Sequence, residues 1–188
     1  MRNIIFLVSL IAVFLLCEGC RLKQPDTLLI ENHTSEIQID GNIDGMEWIR
    51  STTLTDLYSP WAQSEQDSTI FRCFSSQKYF NFCFEVIDRT LTILKYTDEM
   101  TVAKGDRVEL FFSPSSELSS YYCMEINPNG YILDYKAQFY REFNYLWNFN
   151  HHAVVGKITS TGYIVEGRIS LSELKKLGLD LGKDFCLG

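Results

Sequence analysis

Positive charge is scarce in this chain. Lysine and arginine total 17 against 24 aspartates and glutamates, a net charge of −7. A nucleic-acid partner needs a basic surface to face its phosphates, so that class is disfavoured. A neutral ligand met outside the cytoplasm suits the balance better. Metal-site spacing is missing as well. Beyond the N-terminus the cysteines are Cys73, Cys83, Cys123 and Cys186, and no two form a C-x-x-C pair. No C-x-x-C-H, no G-x-S-x-G and no phosphate-cradling glycine loop occurs. Haem attachment, a hydrolase nucleophile and a nucleotide site therefore lack their usual marks. His33, His151 and His152 make no zinc motif, and the adjacent pair would point to opposite faces of a strand. There is no internal repeat and no low-complexity segment.

What is present begins with a targeting signal. Arg2 precedes an apolar run at residues 4–16, shorter than the ~20 residues a membrane-spanning helix needs. This is the pattern of a secretory signal peptide. It ends in LLCEGC, where Gly19 supplies the small residue required before a cut. Cleavage before Cys20 would make its thiol the site of lipid attachment, as in a bacterial lipoprotein. The expected organisation is a signal peptide at 1–19, a lipidated tether at 20–36 and one domain at 37–188. The expected location is the bacterial cell envelope, in the periplasm or at the outer membrane surface. Such a compartment permits disulfides. Cys73 and Cys83 fall on neighbouring strands of one hairpin, where they fit either as a disulfide or as small buried residues.

The body reads as strands. Phe80, Phe82, Phe84 and Val86 alternate with Asn81, Cys83, Glu85 and Ile87. Val108, Leu110 and Phe112 repeat the pattern, as do Tyr122, Met124 and Ile126. A period of two is the signature of a half-buried strand. Further strands are expected over 66–74, 131–139, 153–159 and 163–169, the last two joined at STG as a hairpin. Residues 170–177 form the only convincing helix, with Ser170 or Ser172 to cap it and Gly178 to end it. Many short strands and one late helix give an all-β, antiparallel β-sandwich with one short C-terminal helix.

Four motifs carry a resemblance. They are IDGNIDGMEW at 39–48, FNFCFEVID at 80–88, GDRVELFFSP at 105–114 and GYIVEGRISLSEL at 162–174. In this order they resemble the family 9 carbohydrate-binding modules, β-sandwiches appended to xylanases, with looser relatives in Bacteroidetes-type lipoproteins. The resemblance implies a non-catalytic domain that binds a polysaccharide or oligosaccharide. It also implies a site at the third motif. The family's glutamate there is Glu109. Its clamp tryptophan, six residues earlier, is replaced by Ala103, and an arginine of the next strand by Glu125. The chain ends at KDFCLG, which predicts that the family's last strand is missing. Family 9 modules can bind structural calcium, and Asp40, Asp44, Asp88 and Asp106 could supply hard oxygens.

The residues themselves suggest how such a site is rebuilt. Glu109 would accept hydrogen bonds from sugar hydroxyls. Arg107, two residues away on the same face, would orient it. Trp147 or Trp61 would stack on the sugar's C–H face. Trp147 lies in an aromatic stretch at 139–152 that also holds Tyr140, Arg141 and Tyr145. Trp48 is expected in the core, Met124 inside the sandwich, and Glu166 as a partly buried, paired carboxylate. Glu109 and Glu125 could share a face, as glycosidase carboxylates do at ~5–9.5 Å, but any sheet with exposed glutamates offers such pairs. The function expected is glycan capture by an envelope lipoprotein, supporting carbohydrate catabolism beside glycan-degrading enzymes. The alternative is a structural or assembly lipoprotein that keeps the fold without the sugar site.

Overall fold

The alternation at residues 80–86 becomes the central strand of a sheet. The computed structural model describes residues 28–57, 68–182 and 185–188. In it β2 (Ser68–Ser75) and β3 (Tyr79–Ile87) form an antiparallel hairpin in continuous register, from Ser68 opposite Ile87 to Ser75 opposite Phe80. β1 (Thr52–Leu57) extends one side. β9 (Gly162–Ser170) and then β8 (His152–Ile158) extend the other, giving the order β1-β2-β3-β9-β8. The second sheet runs β10-β4-β5-β6-β7. Its strands are β4 (Val108–Ser113), β5 (Tyr121–Ile126), β6 (Ile132–Gln138), β7 (Glu142–Asn144) and β10 (Cys186–Leu187). The helix expected at 170–177 is α2 (Leu171–Lys176). Ser170 takes the position before it, but its hydroxyl bonds to Ser172 Oγ at 2.8 Å rather than to the helix backbone.

The two sheets enclose one apolar layer. Phe71, Phe80, Phe82 and Phe84 meet Leu110, Phe112, Met124 and Ile126 there, with Leu174 and Leu179 packed against them. Burying each such side chain contributes about 1.5–3 kcal/mol, so this layer holds the sheets together.

The outer face of the first sheet has a cover of its own. The segment from residue 37 to the one-turn helix α1 (Met46–Ile49) lies across it. Trp48 is buried against Phe74 and Cys83, with its ring edge-on to Phe74 at 5.0 Å, so it seals the outer face of this sheet. Gly41 has φ +78°, the left-handed region that favours glycine, and its turn aims two backbone N–H groups at Glu166. Glu166 Oε2 accepts from Asp40 N at 2.8 Å and Gly41 N at 2.7 Å, and Oε1 accepts from Trp48 Nε1 at 3.0 Å. The carboxylate is thus fully buried and held by three N–H donors, not by a cation.

Three observations bear on the expected organisation. Residues 28–33, assigned to the tether, dock on the domain: Thr52 Oγ1 donates to Leu29 O, and His33 N donates to Ser75 O. Cys73 and Cys83 do not bond. Arg72, not Cys73, stands opposite Cys83, so the two thiols point to opposite faces of the sheet. All four cysteines are free, and burial pushes the Cys73 and Cys83 thiols up to about 12. Residues 185–188 also belong to the second sheet: Cys186 pairs with Ser113, and Gly188 exchanges backbone hydrogen bonds with Phe111.

Candidate functional site

The outer face of the second sheet carries the third motif. Register fixes what stands there. Glu109, Glu125 and Leu133 form one cross-strand row, and Phe111, Cys123 and Tyr135 form the next. Tyr121, Ala137 and Phe143 make a third. Residues 108, 110 and 112 turn the other way, into the core.

Arg107 organises the polar end. Its Nη2 lies 2.8 Å from Glu109 Oε1, and its Nε lies 2.5 Å from Glu125 Oε2. Nη1 donates to Ala103 O at 3.3 Å and Gly105 O at 3.4 Å, where the 3-10 helix Glu99–Lys104 ends. The expected orienting role of Arg107 thus has a geometry, and one guanidinium bridges both carboxylates. The side chains of Glu109 and Glu125 are 32% and 8% exposed, so only Glu109 can reach a ligand. Its second oxygen, Oε2, meets no hydrogen-bond donor among the described residues. Burial, with the neighbouring Glu109 carboxylate, raises the pKa of Glu125. The exposed Glu109 oxygen is available to accept a hydrogen bond from a ligand.

Aromatic rings continue the face. Tyr135, Phe143 and Tyr145 form a cluster, with Tyr135 5.2 Å from Phe143 and 5.3 Å from Tyr145, and Phe143 stacked on Tyr145 at 5.5 Å. Phe111 and Tyr121 lie 6.3 Å apart beside them. Phe143 and Tyr145 are well exposed. At the Arg107 end, Tyr96 and Tyr131 stack at 4.0 Å and 7°. Ala103 leaves no ring of its own here; it packs on Val102 and the Cys123–Leu133–Tyr135 cluster.

The structure brings Arg107 and Glu109 together but not Trp147. Trp147 lies 4.9 Å from Tyr122 and 4.8 Å from Phe149, both of which face the inter-sheet core. It is thus on the opposite side of the sheet from Glu109. Trp61 and Cys20 lie outside the described residues. Asp40 and Asp88 each cap a local turn, through Asn42 N and Thr90 N, while Asp106 accepts from Thr92 N of a neighbouring segment. Among the described residues no three acidic, histidine or cysteine side chains gather as a metal site. Asp40, Asp44, Asp88 and Asp106, which could supply oxygens to calcium, are not gathered as such a site.

The comparisons agree with this architecture. A search of curated proteins returns no match. Among solved structures, the chain is similar to a family 9 carbohydrate-binding module from Caldicellulosiruptor kristjanssonii in complex with cellotriose. That match has a TM-score of 0.55 at 20% identity and covers 76% of this chain and 66% of that one. A module from the same organism in complex with glucose gives 0.51 at 19%, covering 76% and 70%. A Bacteroides uniformis protein gives 0.52 at 13%, covering 78% and 76%. At these identities the likeness is one of fold. A family model described as carbohydrate family 9 binding domain-like matches residues 39–186, from the Glu166-capping turn to β10. This chain belongs to the carbohydrate family 9 binding domain-like family.

Proposed function

We propose that the protein binds a polysaccharide fragment on the outer face of its second sheet, without turning it over. The observation that carries this reading is Glu109, held by Arg107 with one oxygen uncommitted, beside exposed rings. Sugars present hydroxyls to planar polar groups and C–H faces to aromatic rings, and this face offers both. The stacking assigned to Trp147 passes to Tyr145 and Phe143. Glu109 accepts from a sugar hydroxyl, and Arg107 fixes its carboxylate. The ligand is a neutral stretch of glycan such as a glucan, xylan or mannan. The module holds such fragments at the cell envelope through a lipid on Cys20, supporting capture and catabolism beside glycan-degrading enzymes.

Affinity electrophoresis and calorimetry against xylan, glucans, mannans and host glycans test the binding. The account expects one class to bind. Silence across the panel from a folded protein would favour an assembly role, the reading that Ala103, in place of a clamp ring, supports. Lipidation is checked separately by mass spectrometry: the anchor expected on Cys20 disappears in Cys20→Ala.

A further inference from the structure

A cleft of about 590 Å³ opens away from the Glu109 face, at the end of the first sheet. Its volume is within the range of small-ligand sites. Lys78, Tyr79, His151, His152, Arg168 and Ser170 line it, and no carboxylate does. In a chain of net charge −7 this is a local reversal of sign. Arg168 projects from β9 with its guanidinium carbon 4.3 Å from the centroid of the Tyr79 ring, and its Nη1 donates to Ile37 O at 3.1 Å. Those contacts fix the side chain without neutralising it, since a π-face and a carbonyl carry no full charge. Lys78 sits in the exposed β2–β3 turn, where its carbonyl accepts from Leu171 N while its ammonium has no acidic partner among the described residues. Three carboxylates lie nearby. Glu173 accepts from Asn150 N and His151 N, each at 2.7 Å, Glu36 accepts from Ser76 Oγ at 3.0 Å, and Asp134, within the field of His152, accepts from Phe149 N at 2.7 Å and Asn148 Nδ2 at 3.1 Å. All three are engaged with their own donors.

We propose that this cleft binds an anionic substituent of a glycan, a carboxylate or a sulfate ester, with Arg168 and Lys78 as its charge partners. A planar guanidinium held in place is suited to either oxyanion. Hydroxyls of the same sugar would meet Ser170 and the neighbouring polar groups. The choice of a sugar as carrier rests on the function proposed above; the charge of the cleft does not.

Calorimetry of the protein with glucuronic acid, glucose 6-sulfate, glucose and inorganic sulfate tests this. At least one acidic sugar should bind about tenfold more tightly than glucose, a preference weakened by salt. Lys78→Glu, at an exposed turn, should abolish the preference, and Arg168→Gln should do the same in a protein whose circular dichroism is unchanged. Glu109→Gln should leave it intact while lowering affinity for neutral oligosaccharide, which separates failure of one site from failure of the other. Equal binding of glucose and both acidic sugars would overturn the proposal. So would inorganic sulfate matching the sulfated sugar, or a Lys78→Glu protein that keeps its full preference.

Discussion

Glu166 shows how one side chain ties a motif to the fold. Three N–H donors converge on it from the 40–48 segment. Glu166→Ala leaves all three without their acceptor, and stability should fall by about 3 kcal/mol, as read by urea denaturation. A loss under about 1 kcal/mol would mean that water replaces the carboxylate easily. Glu125 makes a different prediction. Burial and the Glu109 charge hold it above the ordinary value of 4.5. The folded state therefore keeps this proton at pH values where the unfolded chain has released it. Its contribution to stability is present below 4.5 and is lost as pH rises through the folded-state value. Glu166 and Asp134, raised chiefly by burial, add to the same slope. Glu125→Gln should flatten the stability–pH curve above 4.5 relative to the parent; an unchanged slope would contradict the assignment. The sequence places Glu166 on a strand among apolar neighbours, but not its donors, which lie more than a hundred residues away in the chain.

At the scale of elements, legibility follows burial. Strands with one face in the core, β3, β4, β5 and β9, are written in the period-two pattern. β7 and β10 are not, because they are two or three residues long and are defined by the hydrogen bonds of a neighbour. The aromatic stretch at 139–152 breaks the strand pattern, and the chain there is mostly turn and loop around the short β7. Phe143, Tyr145, Trp147 and Phe149 alternate and would share a face on a continuous strand. Instead the chain turns: Leu146 N donates to Asn144 Oδ1 at 3.1 Å and Trp147 N to Asn144 O at 3.4 Å. Phe143 and Tyr145 stay on the Glu109 side, while Trp147 and Phe149 pass to the core side. Tyr145→Ala should weaken glycan binding by about 1 kcal/mol, roughly fivefold. Trp147→Ala should lower stability by roughly 2 kcal/mol, less than a fully buried tryptophan would, and leave affinity unchanged. Calorimetry and thermal denaturation of the two variants separate these roles, and a swap of their effects would place the site on the wrong side of the sheet.

Across the whole molecule the two outer faces are treated differently. The N-terminal segment covers the first with Trp48, Ile37 and Ile43. Over the second, Val102, Ala103 and Tyr96 of the 96–104 segment cover Cys123, Leu133 and Tyr135, and Glu109 and the exposed rings of Phe143 and Tyr145 stand beside that cover. Which segment covers which face is not readable from alternation, which states only that each strand has two sides. The four motifs do point to the sandwich, and they point to Glu109 and Arg107. They do not reveal that rings of β5 and the β7 edge stand beside them, because that depends on register across three strands. The central claim is that the outer face of the second sheet holds sugar through Glu109. It is tested most directly by calorimetry of the best-binding oligosaccharide against the parent protein and Glu109→Gln. The account predicts a loss of affinity of about tenfold or more, with the folding transition unmoved, since a hydrogen bond to a charged acceptor is worth roughly 1.5–3 kcal/mol. Equal affinities in the two proteins would contradict it.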